Sequence, residues 1–176
     1  MRIISGSYKG KKIIAPKNLP IRPTTDFAKE GLFNFLHNHF HFSEISVLDL
    51  FCGSGNISYE FLSRGSKNIV CVDQNSACIK FVYKTAQILN PNCIRTIKSD
   101  CLNYLKKYND SFDIIFADPP YNYKQYDELL TLANNTSIIK PNGMLIVEHD
   151  SKLNLDQANP FDVRKYGNVC FSIFKH

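Results

Sequence analysis

Val47-Leu48-Asp49-Leu50-Phe51-Cys52-Gly53-Ser54-Gly55 is an apolar run that ends in a glycine-rich turn. Ser46–Leu50 reads as a buried strand, short and apolar but for Asp49. A helical stretch follows at once over Asn56–Ser63, and a strand feeding directly into a helix is the opening unit of an α/β sheet. Glycines at that turn let the backbone approach a ligand with no side chain between them. A dinucleotide site prefers Gly-x-Gly-x-x-Gly, but the third position here is Ser58 and no P-loop lysine follows. Taken alone, Gly53-x-Gly55 reads equally well as a tight turn.

The alternation continues on the C-terminal side. Strands are expected over Asn68–Val72, Cys93–Lys98, Phe112–Ala117 and Met144–Glu148, separated by helices over Ser76–Leu89, Leu102–Lys107 and Tyr126–Ala133. Pro141-Asn142-Gly143 reads as a turn ahead of the fifth strand, and Val163–Tyr166 and Val169–Phe174 as a terminal hairpin through Gly167-Asn168. The expected fold class is α/β: a seven-stranded, mostly parallel, doubly wound sheet with helices on both faces. Upstream, Arg2–Ala15 reads as a β-hairpin turning at Lys9-Gly10. Pro16–Pro23 holds three prolines and should be irregular. Thr24-Thr25-Asp26 with Glu30 offers capping chemistry for a helix that reaches about His39. The 176 residues thus form one domain, with 1–23 a basic hairpin and linker and 24–176 the core.

Composition excludes several classes. Hydrophobic residues are 44% and charged residues 21%, a globular mix. No apolar run approaches the ~20 residues of a membrane span, and the N-terminus lacks the apolar stretch of a secretory signal. The six cysteines form no Cys-x-x-Cys pair and read as reduced thiols, so a cytoplasmic location is expected. Residues 1–30 carry seven basic groups against Asp26 and Glu30, which accounts for the whole net charge of +5. Arg2, Lys9, Lys11, Lys12 and Arg22 therefore suit a phosphate backbone, although a solvated basic face explains the charge as well. His37, His39 and His41 alternate, but no carboxylate or cysteine nearby completes a metal site, and a helix C-terminus is the better reading. Glu148-His149-Asp150 after the fifth strand reads as sheet-end solvation.

Ligands of an open α/β sheet bind at the carboxyl ends of its strands, near the point where strand order reverses. Asp73 ends the second strand, where a carboxylate can accept both ribose hydroxyls of NAD or of S-adenosylmethionine. Asp100 follows the third strand, placed either for an adenine amine or as a helix cap. The fourth strand runs into Asp118-Pro119-Pro120-Tyr121, where two prolines remove two backbone donors and stiffen the chain. Such rigidity suits a carbonyl held toward an exocyclic base amine. Asp118 and the Pro119 carbonyl can each accept one amine hydrogen, which aims the nitrogen lone pair at an electrophile. Tyr121 can stack on the base, a contact worth about 1–3 kcal/mol.

Asp49-x-Phe51-x-Gly53-x-Gly55, Asp73, Asp100 and Asp118-Pro-Pro-Tyr121 resemble the ordered motifs of Rossmann-like class I S-adenosylmethionine-dependent methyltransferases acting on amino nitrogens. Arg2-Ile3-Ile4-Ser5-Gly6, Lys9-Gly10-Lys11-Lys12, Arg22-Pro23-Thr24-Thr25-Asp26, Lys29-Glu30-x-Leu32-Phe33-Asn34 and Lys165-Tyr166-Gly167 narrow this to a resemblance to the bacterial RsmD family, guanine-N2 methyltransferases of 16S rRNA. The resemblance implies that Gly53 and Gly55 wrap the methionine part of the cofactor above Asp49 and Phe51. It implies further that Asp73 takes the ribose and Asp100 the adenine edge. Asp118, Pro119, Pro120 and Tyr121 would then hold a flipped-out guanine, and the basic hairpin and Arg22 would grip rRNA phosphates. The implied substrate is a small ribosomal subunit, with ribosomal proteins adding to the docking surface of a monomeric enzyme. An adenine-N6 methyltransferase on DNA or RNA is the alternative, because Asp-Pro-Pro-Tyr also occurs there. A nicotinamide oxidoreductase is disfavoured by the missing third glycine.

Overall fold

A computed structural model describes residues 1–16, 19, 24–107, 110–134 and 138–176. Seven strands, β1 (Ser46–Leu50), β2 (Asn68–Asp73), β3 (Ile94–Lys98), β4 (Phe112–Ala117), β5 (Ile139–Asp150), β6 (Asp162–Tyr166) and β7 (Val169–Lys175), form one sheet in the order β3-β2-β1-β4-β5-β7-β6. The first five strands in that order are parallel, and β7 pairs antiparallel with both β5 and β6. The order reverses between β1 and β4, which makes the carboxyl ends of those two strands the expected ligand crevice.

Period-two alternation sorts the strand side chains onto two faces. Val47, Cys71, Ile114, Phe116 and Ile146 pack with α1 (Asp26–His37), α2 (Asn56–Ser63) and α3 (Ser76–Leu89). Leu48, Val70, Ile115, Ala117 and Val147 pack with α4 (Cys101–Lys107) and α5 (Tyr126–Ala133) on the other side. Both faces of β1 are buried along its whole length, as parallel sheets require, and this is why it reads as a continuous apolar run. Thr25 caps α1 by accepting from Ala28 N at 3.2 Å.

Three sequence expectations need refinement. First, residues 2–13 do form the hairpin: around the antiparallel Arg2–Lys12 bridge, Ile3 N donates to the Lys11 carbonyl at 3.1 Å and Ile13 N to the Met1 carbonyl at 3.0 Å. The hairpin is also seated on α2. Ile4 N and Ser5 N donate to the Glu60 carboxylate at 2.8 and 3.0 Å, and Ser7 N to the Ser63 carbonyl at 2.7 Å. Gly6 (φ +83°) permits this seat, since a Cβ there would lie 1.9 Å from the Ser63 carbonyl oxygen. Second, Pro141-Asn142-Gly143 lies inside β5 as a bulge, between the pairs Phe112–Ile139 and Ile114–Met144. Third, α1 stops at His37, and His39 Nδ1 then donates to the Phe35 carbonyl at 3.0 Å.

All six cysteines are free, five of them buried. Among the described residues, no group of His, Cys, Asp or Glu is arranged to hold a metal, and no helix is long and apolar enough to cross a membrane.

Candidate active site

The alternation that builds the core also builds the site. Continuing the buried face of each strand by two residues reaches Asp49 on β1, Asp73 on β2, Asp118 after β4 and Glu148 on β5. All four point to the same face at the carboxyl edge of the sheet. They line a cavity of about 1230 Å³ together with Phe51, Gly53, Pro119, Pro120 and Tyr121. That exceeds the ~300–1,000 Å³ usual for a single small ligand and leaves room for a cofactor and a base side by side.

The turn after β1 shapes the cofactor half. Phe51 takes a left-handed φ of 63°, rare for a bulky residue, and Gly55 caps α2 at φ 80° with its Cα against the Tyr59 ring. The loop is tied to β2 through Asp73, whose Oδ2 accepts from Gly53 N at 2.9 Å and Oδ1 from Asn75 N at 2.7 Å. Each oxygen retains a second lone pair for a ligand hydroxyl. Asp49 is buried beneath the loop and accepts from the Ser58 hydroxyl. Burial pushes its carboxyl up to about 7, with the neighbouring Asp73 and Glu148 charges adding to the rise.

That shift has a stability consequence. A carboxyl with its folded value raised from 3.8 to about 7 costs nothing below pH 4; stability falls as pH rises through that window, and the full cost stands at pH 8. Asp49→Asn should therefore raise the Tm of the ligand-free protein at pH 8 by roughly 3–10 °C, about 1–3 kcal/mol. The gain should vanish at pH 4 in thermal unfolding followed by circular dichroism.

The other half of the cavity is walled by aromatic rings. Phe51 meets Tyr123 edge-on at 5.3 Å between centroids, and Tyr123 meets Tyr126 in the same way at 5.3 Å. Burial raises both phenols, Tyr126 to about 12 with the Asp118 charge adding to it, so both remain neutral donors near pH 7. Tyr121 is 62% exposed at the rim, where a flat face can meet a base entering from solvent. The Asp-Pro-Pro-Tyr turn closes through Tyr123 N donating to the Pro120 carbonyl at 2.8 Å.

Other predicted positions fall elsewhere. Asp100 lies outside the cavity lining, and its Oδ1 accepts from Asn103 N at 3.0 Å, the capping alternative. Arg2 pairs with Asp26 at 3.0 Å, while Lys9, Lys11 and Lys12 are exposed on the N-terminal segment. Arg22 lies outside the described residues. The reading of Glu148-His149-Asp150 as sheet-end solvation is overturned. Glu148 and His149 are buried, and the Thr24 hydroxyl donates to Glu148 Oε2 at 2.7 Å. His149 Nδ1 donates to the Asp150 carbonyl at 2.9 Å, leaving Nε2 to accept from Ser172 at 2.8 Å. Sequence reading also missed Thr24, Asn56, Tyr123 and Tyr126 in the lining. Only the parity of β5 could have signalled Glu148.

Comparison with known proteins places the chain in a family. The model of a family described as "Conserved hypothetical protein 95" matches residues 1–175. The chain is 34% identical over 162 residues to "Putative rRNA methyltransferase YlbH" of Bacillus subtilis, covering 90% of this chain and 87% of that protein. It is 32% identical over 154 residues to "Ribosomal RNA small subunit methyltransferase D" of Buchnera aphidicola, covering 88% and 78%. Among solved structures, "Putative methyltransferase yhhF" from Escherichia coli superposes with a TM-score of 0.85 at 25% identity, over 100% of this chain and 97% of that one.

Proposed function

As the chain belongs to the conserved hypothetical protein 95 family, that of the RsmD-type methyltransferases, we propose that it transfers the methyl group of S-adenosylmethionine to the N2 amine of a guanine in small-subunit rRNA. The observation that carries this reading is the convergence of Asp49, Asp73 and the Asp118-Pro-Pro-Tyr turn on one cavity at the point where strand order reverses.

The residues fit the cofactor on chemical grounds. The lining is rich in carboxylates, with Asp49, Asp73, Asp118, Glu148 and Asp150 against Lys124. A ligand carrying an ammonium and a sulfonium is favoured there, and a pyrophosphate-bearing dinucleotide is repelled. Asp73 offers acceptors to the ribose hydroxyls, and the left-handed backbone at Phe51 and Gly55 carries the loop around the methionine moiety. When bound, S-adenosylmethionine supplies an electrophilic methyl group. Asp118 and the Pro119 carbonyl accept the two amine hydrogens and turn the N2 lone pair toward that carbon. The tyrosines fix the ring plane. Transfer would break the methyl–sulfonium bond as the N–C bond forms, leaving neutral S-adenosylhomocysteine, and Asp118 would be placed to take the amine proton to solvent. This is catalysis by positioning rather than by a strong base.

The exposed lysines of the N-terminal segment are assigned to rRNA phosphates. Replacing Lys9, Lys11 and Lys12 by glutamine should weaken binding to small subunits and flatten the plot of log K against log salt by roughly 2. A filter-binding series across salt concentrations reads this, and an unchanged slope makes the segment a solvated face.

The reading is tested by incubating small subunits that lack the modification with methyl-labelled S-adenosylmethionine and digesting the RNA for mass spectrometry. Label recovered as N2-methylguanosine is the expected result. Label in N6-methyladenosine, or none with cofactor bound, overturns it.

A further inference from the structure

We propose that Glu148 selects guanine over adenine by accepting the ring N1–H that sits beside the guanine amine. This rests on the guanine-N2 reading above and adds the group that makes it specific. Asp118 and the Pro119 carbonyl suit any exocyclic amine, so they do not distinguish guanine N2 from adenine N6. The two bases differ at the adjoining ring nitrogen: N1 of guanine carries a hydrogen, whereas N1 of adenine presents a lone pair. A selective site needs an obligate acceptor one step along from Asp118.

Glu148 meets that requirement by strand register. Ala117, the last residue of β4, pairs with Val147, so Asp118 just beyond the strand end and Glu148 on β5 follow a paired couple and meet at the same carboxyl edge. Both line the cavity, and Glu148 is only 7% exposed. A carboxylate accepts at both oxygens and has no donor when ionised, and the Thr24 hydroxyl donates to Oε2 at 2.7 Å.

The carboxylate is held from behind by a chain of buried bonds. Asn56 Nδ2 donates to the Thr24 carbonyl at 3.2 Å, and Lys29 Nζ donates to Asn56 Oδ1 at 2.9 Å. Thr24 thereby fixes the direction of Glu148 before any base arrives, the preorganisation that selectivity demands. A purine with a lone pair at N1 would face the Glu148 acceptor oxygens with no proton between them. Sites built around such a hydrogen bond reject the analogue lacking the donor by large factors.

The test compares guanine with 2-aminopurine, which keeps the N2 amine but has a lone pair at N1. Small subunits are reconstituted with either base at the position the wild-type protein labels. Wild type should prefer guanine by at least about 100-fold in kcat/KM. Glu148→Gln, which can keep the Thr24 bond and can donate to a bare N1, should lose about 100-fold on guanine and little on 2-aminopurine. Discrimination then collapses while S-adenosylmethionine affinity and Tm stay near wild type. Equal loss on both bases, or weakened cofactor binding, overturns the inference and makes Glu148 a strut or a cofactor contact. Wild-type protein that labels adenine and no guanine overturns the guanine reading itself, and this inference with it.

Discussion

Asp118→Ala is expected to cut methyl transfer by about 10³-fold or more while changing the dissociation constant of S-adenosylmethionine less than threefold. The separation follows from strand order. Asp73 and Asp49 stand on β2 and β1, on one side of the reversal, and Asp118 leaves β4 on the other. The cofactor contacts assigned to Asp49, Asp73 and the Gly53–Gly55 turn are untouched by the substitution. What disappears is one acceptor for the amine, and with it the orientation of the lone pair. Asp118→Asn keeps an acceptor oxygen in the same place and should lose only about 10- to 100-fold. An alanine that abolishes cofactor binding, measured by calorimetry, would move Asp118 to the cofactor half. Full activity in the alanine variant would leave the Pro119 carbonyl as sole acceptor and refute the paired-acceptor geometry.

Most of the core sheet was legible because its strands are buried on both faces and end at punctuating residues. Ser46–Leu50 stops at Phe51-Cys52-Gly53 and Phe112–Ala117 stops at Asp118-Pro119, and in each case the strand boundary and a residue lining the cavity coincide. The β5 bulge was hidden because Pro141-Asn142-Gly143 has the composition of a loop, and only the neighbouring β4 shows that pairing resumes from Ile139. The seat of the 2–13 hairpin on α2 was hidden for a related reason. Its acceptors there, Glu60 and Ser63, are 55 or more residues away in sequence, and no local pattern announces them. The site shows the same division. Asp49, Asp73 and Asp118 were readable from strand ends, whereas Glu148 was misread because an Glu-His-Asp run looks solvated until Thr24 and Ser172 are seen bonded to it.

Glu60→Ala should be the most destabilising single substitution outside the apolar core, about 3–5 kcal/mol, or a fall in Tm of roughly 10 °C or more. Its carboxylate is fully buried, and it serves four groups at once. Ile4 N, Ser5 N and Arg64 Nε donate to it within 3.0 Å, and the Lys29 ammonium lies 3.4 Å away. Burial pulls the Lys29 ammonium below its ordinary value and Glu60 opposes that pull, so alanine leaves a buried cation bonded to the Arg2 carbonyl and Asn56, with its largest compensating charge gone. Two backbone donors of the N-terminal segment lose their acceptor in the same step. The damage should therefore be uneven: the segment carrying Lys9, Lys11 and Lys12 loosens from α2, and amide exchange at Ile4 and Ser5 should accelerate more than at β1 or β4. Lys29→Met combined with Glu60→Ala removes both charges and should recover part of the loss, with a coupling energy of about 1–3 kcal/mol in a double-mutant cycle. Additive losses in that cycle would mean that Glu60 acts through its backbone partners alone and that the ion pair contributes nothing.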